Sequence, residues 1–419
     1  MVRKREVIGT KVTGEGKTEN VAITIVNEEF VGSGVFSNVY KAELSKPEVR
    51  QVAIKKTWPE PEYKQRQKEV HHLVFGHPHL CNLLYYYTSQ HVSHTTGCWN
   101  LVFEYMPSSV RNMEEEAEKT GVPITKFNIK LWTFQLFCGL AHMHSKKVCH
   151  RDVKPDNMLL NPNTGLLQVA DLGSAKMLQE NQSSETYQVT RYYRAPELII
   201  GYRKYGVKID NWAAGCVLAG LVVNRVFFQG SDNDDQLDRI AQVLGTPNQE
   251  DIKAMHPTCK RTEWPQHDKK EWSAVLEDEA AELTDFISQV IVYDPQKRLT
   301  ATEACAHSYF DQLRQSDCRM PNGKPLPVDK KYLLPNAAML EPTDQPSKSK
   351  TEQKTLMTLK SHSDKDVSDK KSKPGRKQLS DQSTRKPAKR RNVSTKRSNK
   401  KNKSKKKARR KKSSKSDKP

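Results

Sequence analysis

Cys149 to Gly173 reads C-H-R-D-V-K-P-D-N-M-L-L-N-P-N-T-G-L-L-Q-V-A-D-L-G, and its reading decides that of the rest of the chain. Two apolar runs, Met158-Leu159-Leu160 and Leu166 to Ala170, flank the turn residues Asn163-Thr164-Gly165. The segment is therefore a hairpin with a polar cluster at each end. His150, Arg151, Asp152, Lys154 and Asn157 form one cluster, and Asp171 marks the other. Moving a phosphoryl group off a nucleotide calls for a carboxylate that orients a hydroxyl, a cation beside the phosphate and oxygen ligands for magnesium. Asp152, Lys154 and the pair Asn157 and Asp171 supply these in order. The plainer alternative, solvated charges around a buried hairpin, requires chance agreement at many fixed polar positions.

Outward from this stretch, Phe30 to Tyr40 reads strand, glycine turn, strand, and Gly32 and Gly34 let backbone N–H groups approach phosphate oxygens. Val52-Ala53-Ile54-Lys55 is an apolar strand ending in a lysine, and Ala195-Pro196-Glu197 follows a polar segment downstream. Together, G-x-G, V-A-I-K, H-R-D-x-K-x-x-N, D-x-G and A-P-E resemble the protein kinases. The resemblance implies an α+β, two-lobed protein kinase fold with a small β-rich N-lobe and a larger helical C-lobe, using ATP and Mg2+. Asp152, Lys154 and Lys55 then carry catalysis, and Asn157 and Asp171 hold the metal. The ATP set is Val31, Gly32, Ser33, Gly34, Val35, Phe36, Ser37, Asn38, Val39, Ala53, Lys55, Phe103, Glu104 and Met106. Ser37 stands where the kinase loop has its third glycine. From the helical segment Tyr63 to Val74, Glu69 is the expected carboxylate partner of Lys55.

Residues 1–25, with Gly9, Gly14 and Gly16, read as a flexible N-terminus. The kinase domain spans 26–312, divided into an N-lobe at 26–107 and a C-lobe at 108–312, with an extension at 313–346. Phe127 to His144 carries apolar residues at helical spacing, and Trp212 to Val223 reads as a buried helix. Arg298 is the expected partner of Glu197.

Ser174-Ala175-Lys176, Arg191 to Ile199, Leu244-Gly245-Thr246-Pro247 and Glu303 to Arg314 narrow the resemblance, over about Glu29 to Pro327. They are similar to the glycogen synthase kinase 3 (shaggy-like) family of the CMGC Ser/Thr kinases. That likeness implies protein substrates with a Ser or Thr four residues before an existing phosphate. A basic pocket would hold that phosphate, matched here by Lys68, Arg151 and Lys176, the first of which is an arginine in the family. Tyr187 falls on the family's activation-loop tyrosine. Leu172 replaces the usual phenylalanine of the metal loop. Asp234 and Asp238 stand where the family offers apolar residues to a scaffold's helix, which argues against axin-type docking.

Charge separates the chain into two parts. From Ser347 to Pro419 there are 29 Lys and Arg against 6 Asp and Glu, a net of +23, which leaves −2 for everything before. The tail at 347–419 is expected to be disordered, since it has too few apolar residues to bury. Its basic clusters, Lys386 to Arg391 and Lys400 to Lys412, suit nuclear import or contact with a polyanion or nucleic acid. Eight cysteines without a C-x-x-C pair read as reduced thiols of an intracellular protein, and no segment reads as a signal peptide or membrane span. The expected location is cytoplasm and nucleus. An alternative function is a catalytically weak kinase-fold scaffold that acts through its tail.

Overall fold

The computed structural model describes residues 4–13, 17–34, 37–58, 61–91, 94–179, 182–186, 190–277 and 279–333. The chain divides into two units, Met1–Pro346 and Ser347–Pro419, and the second lies outside the described residues.

Period-two alternation builds the first half. Strands β1 (Lys4–Val12), β2 (Thr18–Gly34), β3 (Ser37–Lys46) and β4 (Arg50–Thr57) precede helix α1 (Pro61–Leu73), and β5 (Leu83–His91) and β6 (His94–Glu104) follow it. All six strands pair antiparallel into a closed barrel in the order β1-β2-β3-β4-β6-β5. Val52 and Ile54 of β4 are buried with Ile23, Ile25, Leu44 and Val102 in the barrel core. Alternation then puts Ala53 and Lys55 on the strand's other face.

The N-terminus departs from the flexible stretch its glycines suggest. Strand β1 closes the barrel by pairing Thr10 with Tyr86 and Lys11 with Tyr85 of β5. Arg5 donates to Glu28 at 3.0 Å and to the Tyr87 hydroxyl at 2.8 Å. Gly9 meets a packing requirement, because a Cβ there would come within 3.1 Å of Ile23 Cδ1.

The second half is helical. Strand β7 (Ser108–Ser109) leads into α2 (Val110–Thr120) and α3 (Lys126–Ser145), and the short strands β8 (Val148–Cys149), β9 (Met158–Asn161), β10 (Leu166–Val169) and β11 (Lys176–Met177) follow. Then come α4 (Pro196–Ile199), α5 (Lys208–Val222), α6 (Asn233–Leu244), α7 (Gln249–Met255), α8 (Trp272–Val275), α9 (Ala281–Val290), α10 (Ala301–Ala306) and α11 (Asp311–Arg314). Helix α3 is apolar nearly all round, with Phe134, Leu136, Phe137, Leu140 and Met143 fully buried, as a central helix must be. The hairpin read from the sequence is β9 and β10, with Leu167 opposite Leu160. Arg298 pairs with Glu197 through two bonds of 2.7 Å, with Trp212 beneath the guanidinium at 5.0 Å. This bidentate pair is fully buried, and removing one partner would strand the other charge. None of the eight cysteines forms a disulfide, and six of them are buried. Among the described residues no helix is long and apolar enough to cross a membrane.

Between α1 and β5 the chain buries a histidine cluster. His77 stacks on His142 at 4.8 Å and meets His79 and Tyr332 edge-on at 5.6 and 5.0 Å. Burial drives His77 down to about 2, and His79 and His142 each to about 4. Below pH 6.5 the unfolded chain takes up protons that these rings refuse, so their contribution is complete above that pH and falls as pH drops toward the folded values. Each ring contributes a slope of up to about 1.4 kcal/mol per pH unit. Between pH 7.5 and pH 5.0, urea denaturation is expected to show His77→Phe losing about 2 kcal/mol less than wild type, the share of one ring.

Candidate active site

Asp210, in the first turn of α5, fixes the loop that carries the polar cluster. Its carboxylate is 1% exposed. Oδ2 accepts the N–H of His150 at 2.8 Å and lies 2.9 Å from His144 Nε2, while Oδ1 accepts the N–H of Arg151 at 2.9 Å. Burial pushes this carboxyl up, but the His144 contact, followed by His150 and the Arg151 N–H, outweighs it and holds the group below its ordinary range. Arg151 is thereby held at φ +67°, which a residue with a side chain rarely adopts. His150 donates from Nε2 to the Ala170 carbonyl at 2.8 Å and accepts the Asp152 N–H on Nδ1 at 3.2 Å. One ring thus couples the first polar cluster to the strand leading to the second.

Asp152 is oriented from several sides. Lys154 Nζ lies 2.9 Å from Oδ2, and Asn157 donates to the Asp152 carbonyl at 2.7 Å and to Oδ2 at 3.1 Å. The Thr190 hydroxyl donates to Oδ1 at 2.8 Å and accepts from Lys154 at 3.3 Å. Neither Thr190 nor Asp210 stands out in the sequence reading, because each reaches the loop from a distant segment.

The hairpin brings Asp171 to Asn157, since Ala170 N–H donates to the Asn157 carbonyl at 2.8 Å. Asp171 sits at φ +58° and accepts Lys55 Nζ at 2.7 Å and Gly173 N–H at 3.1 Å, all on Oδ1. Burial raises this carboxyl, and the Lys55 ammonium overcomes that to hold it below the usual range. Asp171 and Asn157 are oxygen donors of the type magnesium takes, and magnesium is usually held by one or two carboxylates plus phosphates. Among the described residues no group of three or more His, Cys, Asp or Glu could hold a metal ion.

Glu69 is corrected by the structure. Among the described residues the carboxylate within ion-pair distance of Lys55 is Asp171, and Glu69 stands on the exposed side of α1. Helix phase is the reason. Gln67, Val70, His71 and Val74 are buried at i, i+3, i+4 and i+7, which defines the inward face. His71 meets the Phe103 ring at 5.6 Å, and burial, with the nearby Lys55 charge, drives it down to about 3. Gln67, one turn earlier on that face, buries an Oε1 that has no hydrogen-bond partner. Two apolar residues, Val70 and Val74, carried this signal in the sequence.

In the nucleotide set, Gly32 pairs with Val39, Ser33 with Asn38 and Gly34 with Ser37 across the β2–β3 hairpin. Val31 is exposed, and Val35 and Phe36 lie outside the described residues. Gly34 makes room for Ser37, whose Oγ would sit 3.3 Å from a Cβ there. Ala53 pairs with Phe103 across β4 and β6, Glu104 is exposed at the end of β6, and Met106 is half-buried just beyond.

Lys68 is the second correction. Its ammonium lies over the Tyr86 ring at 4.8 Å. The arginine two places earlier takes its part, because Lys176 is lowered first by burial and then by the charges of Arg151 and Arg66. Strand pairing of Lys176 with Cys149 brings it beside Arg151, whose guanidinium donates to the Ser174 carbonyl at 2.6 Å and the Tyr205 hydroxyl at 3.2 Å. The cationic charges that act on Lys176 are therefore those of Arg151 and Arg66. Tyr187 lies outside the described residues.

A family model, the protein kinase domain, matches residues 25–310.

Replacing Asp210 by Asn keeps one acceptor oxygen and turns amide hydrogens toward the other of the two N–H groups it now accepts. Urea denaturation of Asp210→Asn is expected to show a loss of about 1.5–3 kcal/mol, the contribution of one hydrogen bond to a charged group.

Proposed function

The chain belongs to the protein kinase family, whose members phosphorylate proteins, and from that premise we propose a Ser/Thr kinase specific for primed substrates. It takes the γ-phosphoryl group of ATP to protein serine and threonine hydroxyls, with a preference for acceptors four residues before an existing phosphate. The carrying observation is the arrangement around Asp152, with Lys154 and Thr190 on its carboxylate and Asn157 and Asp171 alongside. Asp152 orients the substrate hydroxyl and takes its proton. Lys154 offers its ammonium to the charge that gathers on the transferring group, and Lys55 steadies the remaining phosphates. Magnesium, when bound, neutralises charge between the phosphates, and Asn157 and Asp171 are the residues that would hold it.

The preference for a primed substrate is supported by the meeting of Arg66, Arg151 and Lys176, since cations brought together in one place are relieved by an anion between them. The resemblance of the Ser174-Ala175-Lys176 and Arg191 to Ile199 segments to the glycogen synthase kinase 3 family, read from the sequence, points the same way. Tyr187 is the proposed phosphotyrosine of the activation segment. Asp234 is paired with Arg261 at 2.7 Å and Asp238 with His267 at 2.8 Å, which makes this face of α6 a charged one and argues against an axin-type apolar docking helix.

Radiolabel transfer to a peptide made with and without a phosphoserine four residues beyond the acceptor tests the reading. Wild type is expected to favour the primed form, and Asp152→Asn to lose about 10²–10⁴-fold in kcat while still binding nucleotide. Arg66→Ala should raise KM for the primed peptide alone, and Lys68→Ala should leave it unchanged. Near wild-type turnover in Asp152→Asn would remove the catalytic assignment. Equal loss on both peptides would remove the pocket.

We also propose that the +23 tail binds polyanions and directs the protein to the nucleus as well as the cytoplasm. Deleting Ser347 to Pro419 should keep peptide kinase activity while abolishing salt-sensitive retention on heparin and shifting the protein to the cytoplasm. Unchanged retention and distribution would contradict this role.

A further inference from the structure

The pocket formed by Arg66, Arg151 and Lys176 already contains a hydroxyl of the chain itself. Ser184 is 4% exposed and accepts from Lys176 Nζ at 3.0 Å. Its N–H donates to the Arg203 carbonyl at 2.7 Å. The next residue accepts the Tyr205 hydroxyl on its carbonyl at 2.7 Å, and Tyr205 in turn accepts from Arg151. Glu185, whose charge acts on Lys176, is paired with Arg203. A neutral oxygen therefore accepts from Lys176, a cation repelled by the charges of Arg151 and Arg66, and a dianion on that same oxygen would satisfy it better.

The geometry points to Ser184 as a phosphorylation site whose phosphate fills the pocket from within the chain and excludes the phosphate of a primed substrate. This rests on the primed-substrate reading given above and adds its regulation. In the modifying step Ser184 Oγ bonds to the γ-phosphorus of ATP, the bond to the ADP oxygen breaks, and the hydroxyl proton passes to the modifying kinase's base. Because Ser184 is buried, that step acts on an opened segment, which then recloses on charge-assisted bonds that the bare serine lacks. Its neighbour Ser183 is exposed, so a phosphate there faces solvent.

Phosphoserine encoded genetically at position 184 of the full chain, with phosphoserine at 183 as the charge control, provides the test. By ³¹P NMR, phosphoserine in water loses its second proton near pH 6, and at 184 that titration should fall by at least about one unit. Adding Lys176→Ala should return it toward 6, and the group at 183 should titrate near 6 throughout. In kinetic assays the phosphoserine-184 chain should show at least about a tenfold rise in KM for the primed peptide, with kcat/KM for the unprimed peptide retained. Titration near 6 at position 184, insensitive to Lys176→Ala, would overturn the proposal. So would an unchanged primed KM in a chain whose wild type distinguishes the two peptides. If wild type does not distinguish them, the primed-substrate reading fails by itself, and the titration alone decides whether the pocket holds this phosphate.

Discussion

The buried carboxylate of Asp210 is the constraint from which the active site hangs. It holds two successive backbone N–H groups at the point where Arg151 turns to positive φ, and that turn aims Asp152 toward Thr190 and Arg151 toward Ser174 and Tyr205. A single side chain on α5 therefore orients both the residue that would take the substrate proton and one of those that would hold a distant phosphate. Transition-state stabilisation depends on groups being in place before the charge moves. A carboxylate already satisfied by its neighbours has no reason to relax during turnover.

Legibility in the sequence followed the range of the interactions. The hairpin at 158–169 and its clusters could be read because turn residues, apolar runs and polar spacing all lie within 25 residues of one another. Thr190 and Asp210 could not, because each meets the loop across roughly 40 to 60 residues of chain. The two corrected residues on α1 have one origin. Taking Glu69 as inward-facing put Lys68 in the place of Arg66, although Val70 and Val74 phase the helix the other way. Strand β1 was obscured by glycine, which reads as freedom in a sequence and here serves close packing against Ile23.

The corrected phase changes the electrostatics around Lys55. Its inward neighbours on α1 are an amide and an imidazole kept uncharged by burial, so the carboxylate that meets it is Asp171. Asp171 is also one of the two residues that would hold magnesium. A magnesium ion held there would share one carboxylate with the lysine, and the strength of either interaction would bear on the other.

Closing the barrel through β1 has a consequence beyond its packing. A sheet that ends on a free strand offers unpaired N–H and C=O groups to any other chain, and a closed sheet offers none. Strand β1 covers the β2 edge from Thr18 to Val26 and the β5 edge at Tyr85 and Tyr86, so the nine residues Lys4–Val12 shield those stretches from edge-to-edge pairing with another chain.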